Sequence, residues 1–82
     1  MTEAEIFEKV VKILTPYVKA QGALAGVANE TNILDDLKVN SARLVDVVLA
    51  FEDEFDIEIA DEDVDAVATI GDCVTLIRQK VA

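Results

Sequence analysis

The stretch from Ser41 to Phe55 constrains the fold more than any other part of the chain. At about 100° per residue, apolar side chains recur on one side of a helix built from this stretch. They form a stripe of Leu44, Val48, Phe51 and Phe55, with Val47 on its flank. Such a stripe must face a core, so the sequence predicts a central amphipathic helix. Asn40 or Ser41 is expected to cap it, because a side-chain oxygen there can accept from a first-turn amide.

The opposite side of the same helix is not the all-polar surface that an isolated domain would prefer. Apolar residues are interleaved there with acids, at Ala42, Val45, Asp46, Leu49 and Asp53. Apolar groups held at a surface beside charges are typical of a protein-binding face. The acids taken alone would also fit an ordinary solvated face. The apolar residues among them favour the docking of a partner.

The N-terminal segment predicts another helix and a long connection. Thr2 and Glu5 have the capping-box spacing. An apolar face follows at Ile6, Val10, Ile13, Leu14, Tyr17 and Val18. Pro16 lacks a backbone donor, so we expect a bend or an early end near it. Residues 21–32 contain two glycines, lack clear periodicity and predict a long loop. Its end is expected to be anchored in the core by Ile33, Leu34 and Leu37.

The segment after the central helix predicts a connection and a short third helix. Ile57 and Ile59 alternate with acids, but the stretch is short and the sequence offers no partner strand. We therefore expect a connection and not a strand. Asp61 is expected to cap a short helix that runs through about Val67.

The C-terminal segment predicts the last helix and completes the fold. Thr69, with Asp72 three residues later, is expected to open it. Its apolar positions are Ile70, Cys73, Val74, Ile77 and Val81. The predicted fold class is all-α: a small four-helix bundle of three longer helices and one short third helix. A long loop joins helices 1 and 2, and residues 1–82 form a single domain.

The charge of the chain restricts its partners. The formal net charge is −10, from 17 acids and seven basic residues. Between Leu44 and Ile77 there is no Lys or Arg, yet eleven of the acids lie there. Such a field repels nucleic acid and anionic membranes and attracts basic patches on proteins. We expect basic protein partners, no nucleic acid, no membrane insertion and a monomer.

Few residues of the chain could perform chemistry. It has no histidine, so a serine nucleophile would lack its usual general base. We therefore expect a binding or carrier protein and not an enzyme. The acids lack the EF-hand spacing, so no specific metal site is predicted, and weak divalent-cation binding at Asp53, Asp56 and Asp61 stays open. Cys73 is the single cysteine and is expected to be a buried small hydrophobe. A lone cysteine and an acidic N-terminal segment favour the cytoplasm.

Two motifs flank the central helix. Asn40-Ser41-Ala42 stands at its start, and Glu52-Asp53-Glu54-Phe55 stands at its end. With Ile33 to Leu37, Ile57 to Asp63 and Thr69 to Asp72, they resemble the acyl carrier protein family without a gap. The resemblance implies that Ser41 carries 4′-phosphopantetheine, derived from coenzyme A, through a phosphodiester. The thiol of that arm would hold acyl groups as thioesters, so the arm carries the chemistry and the protein supplies position and recognition.

The resemblance also implies partners and the residues that meet them. A phosphopantetheinyl transferase would attach the arm, and acyl-transferring or synthase enzymes with basic docking patches would use it in fatty-acid, lipid or secondary-metabolite biosynthesis. The predicted docking face consists of Asn40, Ala42, Val45, Asp46, Leu49, Glu52 and Asp53. The family's acyl pocket maps onto Leu44, Phe51, Ile59, Val67 and Leu76.

The sequence departs from the common family pattern around Ser41. Lys38 replaces a usual glycine, Asn40 an aspartate and Ala42 a leucine, and Arg43 stands where many relatives are acidic or neutral. These changes favour a dedicated or secondary-pathway carrier over the housekeeping fatty-acid carrier. The alternatives are an aminoacyl or peptidyl carrier, an unmodified acidic helical interaction domain and a stand-alone calcium binder. The cargo and the pathway are not predicted by the sequence.

Overall fold

A computed structural model of the chain describes residues 2–81. Helix α1 spans Glu3–Leu14, α2 Leu44–Phe55, α3 Asp61–Asp65 and α4 Ile70–Val81. Three 3-10 turns accompany them, at Thr15–Tyr17, Gln21–Gly26 and Ser41–Arg43. No β-strand is present in residues 2–81, where the extended backbone forms one isolated bridge between Asn32 and Thr69. The predicted all-α bundle of three longer helices and a short third one is confirmed.

Both ends of α1 follow from local chemistry. The Glu5 amide donates to Thr2 Oγ1 at 3.2 Å and the Thr2 amide donates to Glu5 Oε1 at 3.2 Å, which is the predicted capping box. The helix ends at Leu14, two residues before Pro16, and the chain continues as a 3-10 turn. Pro16 cannot donate to the carbonyl four residues earlier, so the expected early end is confirmed.

The connection between α1 and α2 is more ordered than a plain loop. The sequence-based expectation of an irregular segment over residues 21–32 is wrong in part, because Gln21–Gly26 forms a 3-10 turn. The Gln21 side chain donates to the Thr15 and Val18 carbonyls, at 3.1 and 2.5 Å, and so fastens this turn to the end of the first helix. Such side-chain to backbone bonds stabilise a short turn that lacks helical length.

A second turn brings the chain back to the core before α2. Asn32 Oδ1 accepts the amides of Leu34 and Asp35, at 3.0 and 2.8 Å, as in an Asx turn. Ile33 and Leu37 are buried on either side of it, as predicted. The expected burial of Leu34 is wrong in part, because this residue is 40% exposed although it also borders an apolar cavity.

Helix α2 begins later than the sequence indicated. Ser41–Arg43 is a 3-10 turn, and regular α-helix starts at Leu44. Asn40 caps this turn, because its Oδ1 accepts the Ala42 amide at 2.9 Å. The buried face consists of Val47, Phe51 and Phe55. The buried side of α2 is therefore rotated relative to the predicted stripe. Val47, predicted on its flank, is central and only 2% exposed, whereas Leu44 and Val48 are half-buried.

Helices α3 and α4 are both capped by acids inside their first turns. The expected cap by Asp61 is wrong: this residue is the first of α3, and Asp63 Oδ2 accepts the Ala60 amide at 3.1 Å instead. For α4 the prediction is confirmed, because the Asp72 amide donates to Thr69 Oγ1 and the Thr69 amide donates to Asp72 Oδ2, each at 3.1 Å. The isoleucines between α2 and α3 are half-buried in a connection, as expected.

One apolar core joins the three longer helices. It is formed by Ile6, Val10, Leu14, Val18, Ile33, Leu37, Val39, Val47, Phe51, Phe55, Ile70, Cys73, Val74 and Ile77. Ion pairs lie at its edges: Lys9 Nζ is 3.6 Å from Glu54 Oε2, and Arg78 pairs with Glu3. None of the helices in residues 2–81 has the length and apolar content that crossing a membrane requires.

Candidate functional site

Ser41 is the only serine of the chain and stands at the first position of the turn that leads into α2. The residue is exposed, and within residues 2–81 its hydroxyl makes no hydrogen bond. Its carbonyl accepts the Leu44 amide, which continues the helical backbone into α2. The hydroxyl is therefore held at a fixed place on the backbone and is open to an approaching enzyme.

The backbone around Ser41 leaves fewer free amides than an ordinary helix start. Asn40 takes two of them, since its side chain accepts the Ala42 amide and its carbonyl accepts the Arg43 amide at 2.8 Å. The positive end of the α2 dipole still lies next to Ser41. Lys38 and Arg43 add two cationic side chains within three residues of it. An anionic phosphodiester on the Ser41 hydroxyl fits these surroundings.

An apolar cavity of about 50 Å³ lies between α2, α3 and the start of α4. All five residues predicted to form an acyl pocket line it: Leu44, Phe51, Ile59, Val67 and Leu76. Sequence reasoning missed the rest of the wall, which comprises Ile33, Leu34, Val47, Val48, Val64, Ala68 and Cys73. Helical spacing from Leu44 could have indicated Val47 and Val48, whereas the others come from distant segments. Because Leu44 is one turn from Ser41, the cavity begins close to the hydroxyl.

Helix α3 forms the outer wall of this cavity and is lightly attached. It has five residues, and Lys80 Nζ contacts Asp63 Oδ2 at 3.0 Å. The hydrogen bond from Lys80, followed by that from the Ala60 amide, lowers the pKa of Asp63 below its ordinary value. The other residues of α3 are acids except for Val64, which lines the cavity. A short helix with one such tie opens at lower free energy than the three longer helices.

A separate groove on the outside runs between α2 and α3. Val45, Val48 and Leu49 from α2 and Val64 from α3 form its apolar walls, and Asp61 and Asp65 stand at its rim. Val45 is 67% exposed and Leu49 is 54% exposed, and both had been predicted to face outward. The contribution of α3 to this external groove could not be predicted from the sequence, because the packing of two separate helices creates it.

The acids predicted for docking differ in their availability. The Arg43 guanidinium lies 3.3 Å from Asp46 Oδ2, so Asp46 is already paired. Glu52 is half-buried and its Oε2 accepts the Ile59 amide at 2.8 Å, which holds the connection to α3. Asp53 is exposed. The Glu52 carboxylate therefore serves the fold, and Asp53 is the acid of the three left facing solvent without such a bond among the described residues.

The acids do not converge on a cation. Within residues 2–81, no group of three or more His, Cys, Asp or Glu side chains is placed to hold a metal ion. The sequence leaves weak divalent-cation binding at Asp53, Asp56 and Asp61 open. The carboxylates of Asp53, Asp56 and Asp61 do not form such a group: Asp53 lies in the last turn of α2, Asp56 follows that helix and Asp61 begins α3.

The fold and the site define a small helical domain of the carrier class, with one exposed serine beside an apolar cavity. Residues 18–77 match the family model described as phosphopantetheine attachment site. The acyl carrier protein of Caulobacter vibrioides (strain NA1000 / CB15N) is 38% identical over 96% of this chain and 99% of its own length. That of Prochlorococcus marinus (strain MIT 9515) is 36% identical over 98% of each chain.

A solved structure of acyl carrier protein from Enterococcus faecalis superimposes with a TM-score of 0.79. It is 36% identical in sequence and covers 98% of this chain and 99% of that chain. The chain therefore belongs to the acyl carrier protein family. It carries acyl groups on 4′-phosphopantetheine and interacts with the transferase and synthase enzymes that this role requires.

Cys73 lies in the cavity wall and is 5% exposed, which confirms the predicted buried cysteine. Burial, followed by the charge of the neighbouring Asp72, raises the pKa of the Cys73 thiol to about 12. Because the thiolate is the reactive form, the buried thiol is nearly inert at neutral pH. Any thiol reactivity of the unacylated holo protein then belongs to the prosthetic arm.

We expect native apo protein to resist alkylation of Cys73. At pH 8 the thiolate fraction is about one in ten thousand, so reaction with iodoacetamide, followed by intact mass, should be at least about 100-fold slower than in denaturant.

The raised pKa of Cys73 also means that unfolding releases a proton above about pH 8.5, so the free energy of unfolding falls as the pH rises from there toward 12. Cys73→Val should lose that part of the pH dependence of stability. Equal alkylation rates in the folded and unfolded protein would refute the assignment of Cys73 as a buried, inert thiol.

Proposed function

We propose that the Ser41 hydroxyl is the attachment point of 4′-phosphopantetheine. One observation supports this assignment most strongly: the only serine of the chain is exposed at the start of α2, inside the segment that matches the family model. The arm supplies the thiol that bears the acyl group. The protein holds the phosphodiester beside the positive end of α2 and presents it to partners.

We further propose that the chain performs no catalysis itself and serves a dedicated lipid or secondary-metabolite pathway. The absence of histidine from the sequence supports the first point. The departures from the family pattern at Lys38, Asn40, Ala42 and Arg43 support the second point, because a partner of the housekeeping carriers would meet different side chains next to the serine.

A free and buried Cys73 is compatible with the cytoplasm. Net charge of −10 opposes self-association and supports a monomer.

Replacement of the serine tests the attachment site directly. Apo protein is incubated with coenzyme A and a broad-specificity phosphopantetheinyl transferase, and its intact mass is measured. The wild type should gain one phosphopantetheine, and Ser41→Ala should gain none. Thr75→Ala, which removes an exposed hydroxyl from α4, is the matched control and should be modified like the wild type. Addition of the arm to Ser41→Ala would refute the assignment.

We propose that partners dock on the outer side of α2 and on the groove beside α3. Val45 and Leu49 supply apolar contact area, and Asp53 supplies a charge that attracts a basic patch. The acids at the groove rim, Asp61 and Asp65, extend this attraction. The side-chain bond of Glu52 to the α3 connection makes it a positioning residue for the groove and not a contact.

Charge reversal at the docking face should weaken partner binding. At low salt, Asp53→Lys is expected to raise the KM of the transferase for the apo carrier about tenfold with kcat unchanged, and to flatten its salt dependence. Glu8→Lys makes the same change in net charge at an exposed position of α1 and is the matched control. If both variants behave alike, net charge and not this face governs recognition. Helical circular dichroism confirms that each variant is folded.

We propose that the cavity receives the acyl chain. Its lining is apolar, and Leu44 connects it to the attachment site. An engineered apolar cavity of about 150 Å³ holds one benzene molecule, so a space of about 50 Å³ must widen to admit a medium-length chain. Movement of the lightly attached α3 supplies that space. Burial of the chain then stabilises the fold by roughly 25 cal/mol per Å².

Acylation should therefore raise the melting temperature. Loading Ser41 with a medium-length acyl-phosphopantetheine is expected to add about 5 °C relative to the unacylated holo protein. Val47→Leu adds one methylene inside the cavity wall and should reduce this gain, whereas Val45→Leu adds the same methylene on the exposed side of α2 and should preserve it. An acylated protein that melts with the holo form would mean that the cargo lies in solvent.

A further inference from the structure

Two cationic side chains bracket Ser41 in a strongly acidic chain. Between residues 20 and 77 the only basic residues are Lys38, three positions before the serine, and Arg43, two positions after it. The residues between Leu37 and Val45 carry no acid. The segment from Lys38 to Leu44, which contains the attachment site, thus has a charge opposite to that of the protein as a whole, and the acids Asp35, Asp36 and Asp46 lie just outside it.

Lys38 occupies its position against a conformational preference. Its φ is 57°, in the left-handed region where a residue with a Cβ is disfavoured and glycine is not. Leu37 and Val39 are buried on either side, so the core fixes this backbone whatever residue stands between them. Glycine would stabilise the turn and would leave no charge. A strained non-glycine residue beside a functional group is a reason to seek a role for its side chain.

Arg43 changes the charge of the docking face at its end nearest Ser41. It is well exposed, with 66% of its side chain accessible, and its guanidinium lies 3.3 Å from Asp46. Asp46 is the acid of α2 closest to the serine, so that pair leaves the near end of the face without net negative charge. An exposed ion pair of this kind is weak, and a partner carboxylate can compete for the guanidinium.

The acids available to a partner lie at the other end of the same face. Asp53 is ten residues further along the chain than Arg43, about 15 Å at the rise of a helix. Asp61 and Asp65 stand at the rim of the groove beside α3. Val45 and Leu49 lie between the two ends. Beside Ser41 the face therefore presents Lys38 and an Arg43 whose charge is offset by Asp46, it is apolar in the middle, and it is acidic at its far end.

We propose that this polarised face selects a phosphopantetheinyl transferase that places a carboxylate side chain against Lys38 and Arg43 and basic side chains against the Asp53 end. The inference rests on the proposed attachment at Ser41. An enzyme that modifies this serine must bring its active site within reach of the hydroxyl, so residues three before and two after it lie in the interface. Docking in the reverse direction would set like charges against each other, which fixes the orientation and excludes transferases with a uniformly basic patch.

Reversing the charge of Arg43 distinguishes a polarised face from a uniformly acidic one. The KM of the transferase for the carrier should rise if the face is polarised and fall if it is uniformly acidic. Modification of apo variants by the transferase of the encoding organism is measured at low salt. Arg43→Glu and Lys38→Glu should each raise the KM for the carrier at least about fivefold with kcat nearly unchanged. Lys12→Glu, an equal change of charge at an exposed position of α1, should stay within about twofold of the wild type. A uniformly acidic face would instead bind better after Arg43→Glu.

Lys38→Gly separates recognition from folding. It should raise the melting temperature, because it relieves the left-handed strain, and still raise the KM for the carrier, because it removes the charge. An unchanged or lower KM in Arg43→Glu or Lys38→Gly overturns the proposal. A rise in the KM for coenzyme A alone also overturns it, since Lys38 and Arg43 would then contact phosphates of the cosubstrate. Failure of the wild type to accept the arm would refute the attachment site itself.

Discussion

The shared apolar core, in which α1 packs most extensively on α4 and one side of α2 packs on α1, is the interaction on which the rest of the structure depends. Val47, Phe51 and Phe55 from α2 join a single core with side chains of α1 such as Val10 and of α4 such as Ile77. Full burial of one such side chain contributes about 1.5–3 kcal/mol. This burial must outweigh the mutual repulsion of a chain with net charge −10. The packing of α2 thereby places Ser41 and the docking face together.

Because α2 is anchored on one side, its other sides are available for function. One flank, with Leu44 and Val48, borders the cavity, and the outer side carries Val45 and Leu49. Helix α3 completes both the cavity and the external groove, although it contributes little to the core. Division of one helix into a buried, a cavity-lining and an exposed side explains how 82 residues can hold a prosthetic arm, shelter a cargo and recognise partners.

The sequence alone determined the features that depend on neighbours in the chain. The Thr2 box, the Thr69–Asp72 box and the helix end before Pro16 involve groups at most four residues apart, so local chemistry suffices to specify them. The four helices and the family also followed from short-range patterns and motifs. The position of Ser41 at the head of the central helix was predicted in the same way, with only the 3-10 form of its first turn missed.

Tertiary structure decided what segments distant in the chain create together. It set Val47 and not Val48 at the centre of the buried side, left Leu34 partly exposed and paired the Glu52 carboxylate with the Ile59 amide. It also joined α2 and α3 into a cavity and a groove. Helical periodicity defines an apolar side only to within about one residue, or about 100° of rotation. The neighbours that choose among these orientations come from other helices, so only their packing fixes which residues face the core, the cavity or the partner.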